Sequence, residues 1–129
     1  MSLYKEGMKK KILLIDDDQL VLRSFTKLLE KEGYEVIPAA CYEEVISAIS
    51  QKEFDLIISD VRMPGKNGVE TASEIQSRLV NAGKKRDIPI IFITGYTEDE
   101  HRLHTEFLGE TLHKPVDNQK LLQTIRDYL

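Results

Sequence analysis

The chain has 129 residues, a hydrophobic fraction of 41% and a charged fraction of 31%, which are values typical of one globular domain with its own core. Its net charge of −4 argues against a domain that binds nucleic acid by itself. The single cysteine, Cys41, excludes an internal disulfide and a multi-cysteine zinc site. No apolar run reaches the roughly 18 residues of a membrane span, and we expect a cytoplasmic protein without membrane contact.

The first residues carry charge but no apolar run of signal-peptide length. We therefore expect residues 1–8 to be a disordered lead-in or an expression remnant. The fold is expected to occupy residues 9–129 as a single domain.

Short apolar runs alternate with helical patterns along the rest of the chain. The runs are rich in Ile, Leu or Val, which is typical of strands buried on both faces, and they cover 11–15, 34–38, 54–59, 88–93 and, more weakly, 111–113. Amphipathic patterns predict helices over 19–32, 42–51, 68–80, 97–108 and 117–129. Gly33 is a stop signal for the first helix. The alternation predicts an α/β fold, a doubly wound five-stranded parallel sheet with five helices on both faces.

Alternation alone leaves two common strand orders open, and both place ligands beyond the carboxyl ends of the strands. The side chains at those ends are Asp16–Asp18, Asp60, Thr94 and Lys114. In the order 2-1-3-4-5, strands one and three are neighbours, so Asp16, Asp17 and Asp60 would face one another. Three ionised carboxylates that close repel, and a divalent cation removes the conflict. Ligands that are all oxygen favour Mg²⁺, Mn²⁺ or Ca²⁺.

Thr94 and Lys114 extend this site toward phosphate chemistry. A carboxylate can act as a nucleophile and form an aspartyl phosphate, while an ammonium and a hydroxyl neutralise and bind the phosphoryl oxygens. Asp60 is the carboxylate that stands alone at its strand end. Asp18, directly before the first helix, is better placed to cap that helix than to join the site.

With these blocks the sequence resembles the receiver domains of two-component response regulators, the CheY-like superfamily. The matching segments are ILLIDDD (12–18), DLIISDVRMPGKNG (55–68), IIFITGY (90–96) and HKP (113–115). The resemblance extends over about residues 9–129 and implies a flavodoxin-like sheet in the order 2-1-3-4-5.

The resemblance implies a metal site and a phosphoacceptor. Asp60 matches the residue that takes a phosphoryl group from a sensor histidine kinase or a histidine phosphotransfer protein. Asp17 matches a direct ligand of Mg²⁺, which Mn²⁺ could replace, and Asp16 matches a ligand that acts partly through water. Arg62 occupies the position whose backbone carbonyl binds the same ion.

The resemblance also assigns the remaining residues of the pocket. Thr94 and Lys114 match the hydroxyl and the ammonium that contact the phosphoryl group, and Gly95 matches a small residue that keeps the pocket open. Such a domain is not an enzyme beyond self-catalysed phosphotransfer and slow autodephosphorylation. It signals through a change in the face formed by helix four, strand five and helix five, and a homodimer on phosphorylation is a further expected state.

Two features depart from the family pattern. Thr111 stands where an aromatic residue is usual, and the stretch from Thr94 to Lys114 is short for the family. Both fall on the face that transmits the signal, so the usual switch from hydroxyl to aromatic side chain is in doubt here, whereas the phosphorylation chemistry is not.

Three alternatives remain. A pseudo-receiver that only binds proteins would fit the altered face. A small phosphatase with an aspartate nucleophile would use Asp16 and Asp18, but Leu20 stands where that family has Thr or Val, and Asp60 would have no role. A flavodoxin-like cofactor binder would not place three aspartates where an FMN phosphate must lie.

Overall fold

A computed structural model of the chain describes residues 9–60, 74, 77, 88–94, 110–113 and 116–129, with backbone alone at 94, 110, 111 and 113. The elements are β1 (Lys11–Ile15), α1 (Gln19–Lys31), β2 (Glu35–Ala39), α2 (Tyr42–Gln51), β3 (Leu56–Asp60), β4 (Ile90–Thr94), β5 (Glu110–His113) and a C-terminal helix (Asn118–Tyr128). Residues 74 and 77 are helical, within the predicted third helix. The rest of that helix, the predicted fourth helix over 97–108 and the lead-in over 1–8 lie outside the described residues.

The five strands form one parallel sheet in the order β2-β1-β3-β4-β5, which confirms the expected topology. In the register of this sheet Ile15 lies opposite Ser59, Asp60 lies opposite Ile93, and Thr94 lies opposite His113. Because parallel strands end at the same edge, the chain segments that leave β1, β3, β4 and β5 start side by side. This edge is called the carboxyl edge below.

Helices cover both faces of the sheet, and a separate hydrophobic cluster fills each face. On one face the strand residues Leu13, Ile57 and Phe92 pack in a cluster with Val45 and Ile49 of α2. The opposite cluster contains residues of α1 and of the C-terminal helix against the alternate strand positions, namely Ile12, Leu14, Leu22, Leu29, Ile58, Ile91, Leu121 and Ile125. Each fully buried side chain of this kind contributes roughly 1.5–3 kcal/mol, so both clusters are needed for stability.

Both ends of α1 are capped, the first by a side chain and the second by backbone groups. Asp18 is the N-cap, and its carboxylate accepts hydrogen bonds from the backbone N–H groups of Leu20 and Val21. At the other end Gly33 has φ +96°, and its N–H donates to the carbonyl of Glu30 at 3.0 Å. The N–H of Tyr34 donates to the carbonyl of Leu29 at 3.2 Å, which completes a Schellman motif. The predicted stop at Gly33 is confirmed.

β2 is an edge strand that carries a proline. The backbone N–H of Glu35 donates to the carbonyl of Lys10 at 2.9 Å, and the carbonyl of Ala39 accepts from Asp16 at 3.1 Å. Because backbone groups alternate along a strand, Glu35, Ile37 and Ala39 turn theirs toward β1. Val36 and Pro38 therefore turn theirs outward.

The C-terminal helix begins after the N-cap Asp117 and buries Leu121, Leu122 and Ile125 as its pattern predicts. The helical spacing of the sequence predicts that Tyr128 lies on the same apolar face as these residues, but Tyr128 is 41% exposed. Leu129, the next residue, packs against the core cluster instead. Thr124 is buried too, and its hydroxyl donates to the carbonyl of Lys120 at 2.8 Å, which satisfies the polar group within the helix.

Three strands end one residue later than predicted, and two of these ends concern function. Asp60 and Thr94 were expected just after their strands, yet they are the last residues of β3 and β4, because ladder pairing continues through both. The second strand likewise ends at Ala39 and not at Pro38.

Across the described part of the chain, no helix combines the length and the apolar character that a membrane span requires.

Candidate functional site

Three carboxylates meet at the carboxyl edge of the sheet. Asp16, Asp17 and Asp60 each have a carboxylate oxygen within 4.8 Å of the others. Asp16 and Asp60 are buried, with 3% and 7% of their surface exposed, whereas Asp17 is exposed. The structure thus brings together the three acidic residues that the sequence placed at one site, with two at the base and one at the opening.

Backbone contacts orient Asp16 in particular. Its N–H donates to the carbonyl of Ala39 at 3.1 Å, which extends the β1–β2 pairing by one residue. Its Oδ1 accepts a hydrogen bond from the N–H of Asp18 at 2.9 Å. The backbone that follows β1 therefore holds the Asp16 side chain in place, and a ligand does not have to order it.

Asp18 has a different role from its two neighbours. Its Oδ1 accepts from the N–H of Leu20 at 2.9 Å and from that of Val21 at 3.4 Å. The carboxylate is therefore engaged with the first turn of α1, as predicted for a helix cap. The cap also fixes where α1 starts, directly beside the acidic cluster.

Ser59 supports the end of β3 and was not singled out from the sequence. It is 2% exposed, and its hydroxyl donates to the carbonyl of Asp60 at 3.0 Å. A serine in an apolar strand gives no sequence signal of such a contact, because the direction of its hydroxyl depends on the fold around it. The contact stabilises the backbone at the point where Asp60 enters the site.

The backbone places Thr94 at the same edge. Asp60 lies opposite Ile93, so Thr94 is one residue further along β4, and it pairs with His113 of β5. Lys114 follows His113 directly in the chain. Lys114, Arg62 and Gly95 lie outside the described residues, as does the side chain of Thr94.

A second contact lies near this edge, at the start of α2. The hydroxyl of Tyr42 donates a hydrogen bond to the carboxylate of Glu74 across 32 residues of sequence. Glu44, in the first turn of the same helix, accepts from the backbone N–H of Ala40 at 2.5 Å. The first contact joins α2 to the predicted third helix, the second closes the β2–α2 connection, and neither was predicted from the sequence.

The cluster has the chemistry of a hard-cation site. Two like charges about 4 Å apart repel by roughly 1 kcal/mol in bulk water and by roughly 4 kcal/mol near a protein surface. Three carboxylates at this site therefore favour a bound cation. Oxygens that bind one Mg²⁺ at about 2.1 Å lie at most about 4.2 Å apart. The observed limit of 4.8 Å is close enough that small side-chain rotations, or a bridging water at one ligand, would complete such a site. The residues present therefore fit a divalent cation.

Comparison with known proteins places this site in a family. Residues 12–126 match the family described as the response regulator receiver domain. The chain is 33% identical, over 131 aligned positions, to the CAI-1 autoinducer sensor kinase/phosphatase CqsS of Vibrio cholerae, and the match covers 97% of this chain but 18% of CqsS. It is 27% identical over 124 residues to the polar-differentiation response regulator DivK of Brucella ovis, which covers 95% of this chain and 98% of DivK.

Solved structures agree with the sequence relatives. The response regulator TrrA of Thermotoga maritima, solved in complex with Mg²⁺–BeF, superposes with a TM-score of 0.79 at 30% identity, over 93% of this chain and 99% of TrrA. The parallel sheet order, the acidic edge and the family match over nearly the whole domain lead to one conclusion. The chain belongs to the response regulator receiver domain family and is a component of two-component phosphorelay signalling.

Proposed function

We propose that this receiver domain accepts a phosphoryl group on Asp60 in a reaction that depends on Mg²⁺. The observation that carries the proposal is the acidic cluster, in which Asp60 is buried at the end of β3 within 4.8 Å of Asp16 and Asp17. An aspartate that only ends a strand does not require two further carboxylates beside it. A carboxylate nucleophile that works beside a metal ion does require them, because they help to bind the ion.

Asp17, Asp60 and the backbone carbonyl of Arg62 would hold the metal directly, and Asp16 would act partly through water. The ion supplies positive charge that offsets the carboxylates and the incoming phosphoryl oxygens. The donor set contains only oxygen, which favours Mg²⁺, with Mn²⁺ as a substitute. The TrrA complex contains Mg²⁺ together with a beryllofluoride group, which supports the same chemistry here.

In the proposed reaction a carboxylate oxygen of Asp60 attacks phosphorus. The new bond joins that oxygen to phosphorus, and the bond between phosphorus and the imidazole nitrogen of a phosphohistidine donor breaks, so that the electron pair leaves with the imidazole. No redox partner is required. Thr94 would donate a hydrogen bond to one phosphoryl oxygen, and the ammonium of Lys114 would neutralise another. The domain would therefore catalyse only its own phosphorylation and a slow loss of the phosphoryl group.

The donor is proposed to be a sensor histidine kinase or a histidine phosphotransfer protein, and the response would be carried by the face built from the predicted fourth helix, β5 and the C-terminal helix. Thr111 lies in β5 opposite Phe92. With threonine at this position, the family's usual aromatic side chain is absent from β5. We propose that phosphorylation is transmitted mainly by Thr94 and the segment that follows it, with formation of a homodimer as one readout.

Treatment of the whole chain with acetyl phosphate and Mg²⁺ tests the proposal. We expect intact mass spectrometry to show one added phosphoryl group on the wild type, none on Asp60→Asn, and none when EDTA replaces Mg²⁺. Beryllofluoride with Mg²⁺ should give a stable analogue of the same state, and its oligomeric state can be read by light scattering.

The other outcomes separate the remaining alternatives. A wild-type chain that binds Mg²⁺ but gains no mass would contradict the proposal and favour a pseudo-receiver. Continuous turnover of a phosphate ester that survives Asp60→Asn but not Asp16→Asn would favour a phosphatase. The structure gives no support to the latter, because Leu20, at the position that a phosphatase motif would use, is 71% exposed on α1.

A further inference from the structure

The connection from β2 to α2 contacts the acidic site from one side. The carbonyl of Ala39, the last residue of β2, accepts a hydrogen bond from the N–H of Asp16 at 3.1 Å. This carbonyl holds the backbone of Asp16, while the N–H of Asp18 holds its carboxylate at 2.9 Å. Since Ala39 is 1% exposed, the bond is shielded from water. The place of the β2–α2 connection therefore bears directly on the place of Asp16.

The start of α2 is not held by its own N-cap residue. Cys41 occupies that position, and among the described residues its side chain finds no capping partner. Two other side chains hold the connection. The carboxylate of Glu44 accepts from the N–H of Ala40 at 2.5 Å, and the hydroxyl of Tyr42 donates to the carboxylate of Glu74. These two hydrogen bonds are called the α2 brace below.

The Tyr42 contact joins elements that follow two different strands. Tyr42 is the first residue of α2, whereas Glu74 is a helical residue that comes after β3 and Asp60 in the chain. The contact therefore ties the connection that holds Asp16 to the helix that follows Asp60. Hydrogen bonds to carboxylates are about twice as strong as those between neutral groups, and both partners here are half-buried. This contact is suited to fix one element relative to the other.

We propose that Tyr42 and Glu74 are positioning residues of the metal site, and that their contact keeps Asp16 where a divalent cation requires it. The inference rests on the proposed function, because the cation is the one that phosphorylation of Asp60 would use. Neither residue is a ligand in this proposal. Tyr42 acts on Asp16 through the β2–α2 connection and the carbonyl of Ala39.

The geometry of a magnesium site gives such a brace its effect. Mg²⁺ demands nearly ideal octahedral coordination, in which ligand oxygens lie at most about 4.2 Å apart. The three carboxylates already lie within 4.8 Å of one another. Any freedom left at Asp16 has to be lost when the ion binds, and that loss weakens binding. The α2 brace removes this freedom in advance, as the outer partners of metal ligands commonly do.

Removal of the Tyr42 hydroxyl, which changes no charge, tests the inference. The probe is Mg²⁺ alone, titrated into the whole chain by isothermal titration calorimetry. We expect Tyr42→Phe to raise the Kd for Mg²⁺ about three- to tenfold, which is less than the roughly 10–100-fold typical when a direct partner of a ligand is lost. Ile49→Val, at a buried position of the same helix, is the matched control for lost stability and should leave the Kd within about twofold.

Glu74 provides a second arm, which carries the test even if Tyr42→Phe does not fold. Glu74→Ala should raise the Kd at least as much as Tyr42→Phe does, and adding Tyr42→Phe to it should bring no further loss, because both changes remove one contact. Glu74→Gln removes the charge but keeps an oxygen acceptor for the hydroxyl. We expect its Kd to stay within about twofold of the wild type.

Two further measurements separate positioning from a general loss of structure. In EDTA, hydrogen exchange followed by NMR should become about threefold faster or more at the N–H of Asp16 in Tyr42→Phe, relative to Leu13 within β1, and not in Ile49→Val. At saturating Mg²⁺, Tyr42→Phe should react with acetyl phosphate at close to the wild-type rate. The Mg²⁺ concentration that gives half of that rate should rise with the Kd.

An unchanged Kd in Tyr42→Phe or in Glu74→Ala would overturn the positioning role. An equal rise in Ile49→Val would overturn it as well, since stability alone would then govern the site. So would a rise in Glu74→Gln as large as that in Glu74→Ala, because the charge would then attract the ion without the contact. Failure of the proposed function looks different: the wild type would take no phosphoryl group from acetyl phosphate, whatever the variants do to the Kd for Mg²⁺.

Discussion

At the scale of single residues, the acidic site combines order with electrostatic conflict. Asp16 is held by the N–H of Asp18 and through its own N–H by Ala39, and Asp60 is buried at the end of β3. The positions of these carboxylates are set by the backbone even though their charges repel. The site is therefore preorganised to bind a cation. Without a cation, the repulsion among the carboxylates lowers the stability of the native state.

Asp60→Asn removes one of the three clustered charges. In the absence of divalent metal we expect this variant to be more stable than the wild type by about 1 kcal/mol, because the repulsion with Asp16 and Asp17 is relieved. Urea unfolding in EDTA measures the difference. A variant less stable than the wild type would show that the Asp60 carboxylate is held by favourable contacts that outweigh the repulsion.

Asp18→Ala removes the N-cap of α1. We expect a loss of about 1 kcal/mol in the free energy of unfolding, because the N–H groups of Leu20 and Val21 lose their acceptor. The matched control is Asp18→Asn, which keeps a side-chain oxygen and should stay close to the wild type. A loss as large in the Asn variant would mean that the charge of Asp18, and not the cap, provides the stabilisation.

The residues of the acidic site could be predicted from sequence because they follow apolar runs, and strand ends meet wherever a sheet is parallel. Capping by Asp18 was predictable for a similar reason, since residue type and position before a helix are enough. The contact of Ser59 with the Asp60 carbonyl and that of Tyr42 with Glu74 were not predictable. Both depend on side-chain directions that only the assembled fold determines.

At the scale of elements, the two caps of α1 determine where this helix begins and ends. Gly33 adopts φ +96°, and an added Cβ would meet no atom within 4 Å. Gly33→Ala should therefore cost about 1–2 kcal/mol from backbone strain alone, without steric clash. Gly33→Asn should cost less, since asparagine tolerates this conformation better. Thermal unfolding of both variants checks this, and equal destabilisation would argue against a conformational cause.

The same helix offers a pair of leucines in opposite environments. Leu29 is fully buried against the sheet, whereas Leu20 is 71% exposed. Leu29→Ala should cost about 2–5 kcal/mol because it leaves a cavity in the core. Leu20→Ala should change the free energy of unfolding by less than about 0.5 kcal/mol. Chemical denaturation separates them, and a large loss at Leu20 would show that its side chain packs within the domain.

Element positions followed from periodicity better than element ends did. The bounds of β1 and α2 were predicted without error. The ends of β3 and β4 were misplaced by one residue because polar side chains at Asp60 and Thr94 conceal continued ladder pairing. Tyr128 was misassigned to the buried face because spacing alone did not separate it from Leu129, which is the residue that packs against the core.

At the scale of the whole molecule, metal binding and folding are linked. A cation that binds the native cluster and not the unfolded chain raises the free energy of unfolding by about 2.7 kcal/mol at 100 times its Kd. We expect Mg²⁺ to raise the Tm of the wild type in a concentration-dependent way, and to raise that of Asp17→Asn much less. Mn²⁺ should act similarly. An equal response of both proteins to Mg²⁺ would place the binding elsewhere.

The global topology was predictable from the alternation of apolar runs and amphipathic segments, once the residue blocks had indicated the strand order. The division of the core into two clusters follows from the same alternation, because successive strand residues point to opposite faces. The receiver family could be predicted as well, since the residue blocks at the strand ends carry the resemblance.

The outward edge of β2 has a consequence for the behaviour of the protein at high concentration. Val36 and Pro38 turn their backbone groups away from β1, and proline has no N–H to offer. Within Glu35–Ala39, the outward side therefore presents a single backbone donor, at Val36. A strand from another molecule could form only part of a ladder there, so this edge resists sheet-to-sheet aggregation without needing any cover.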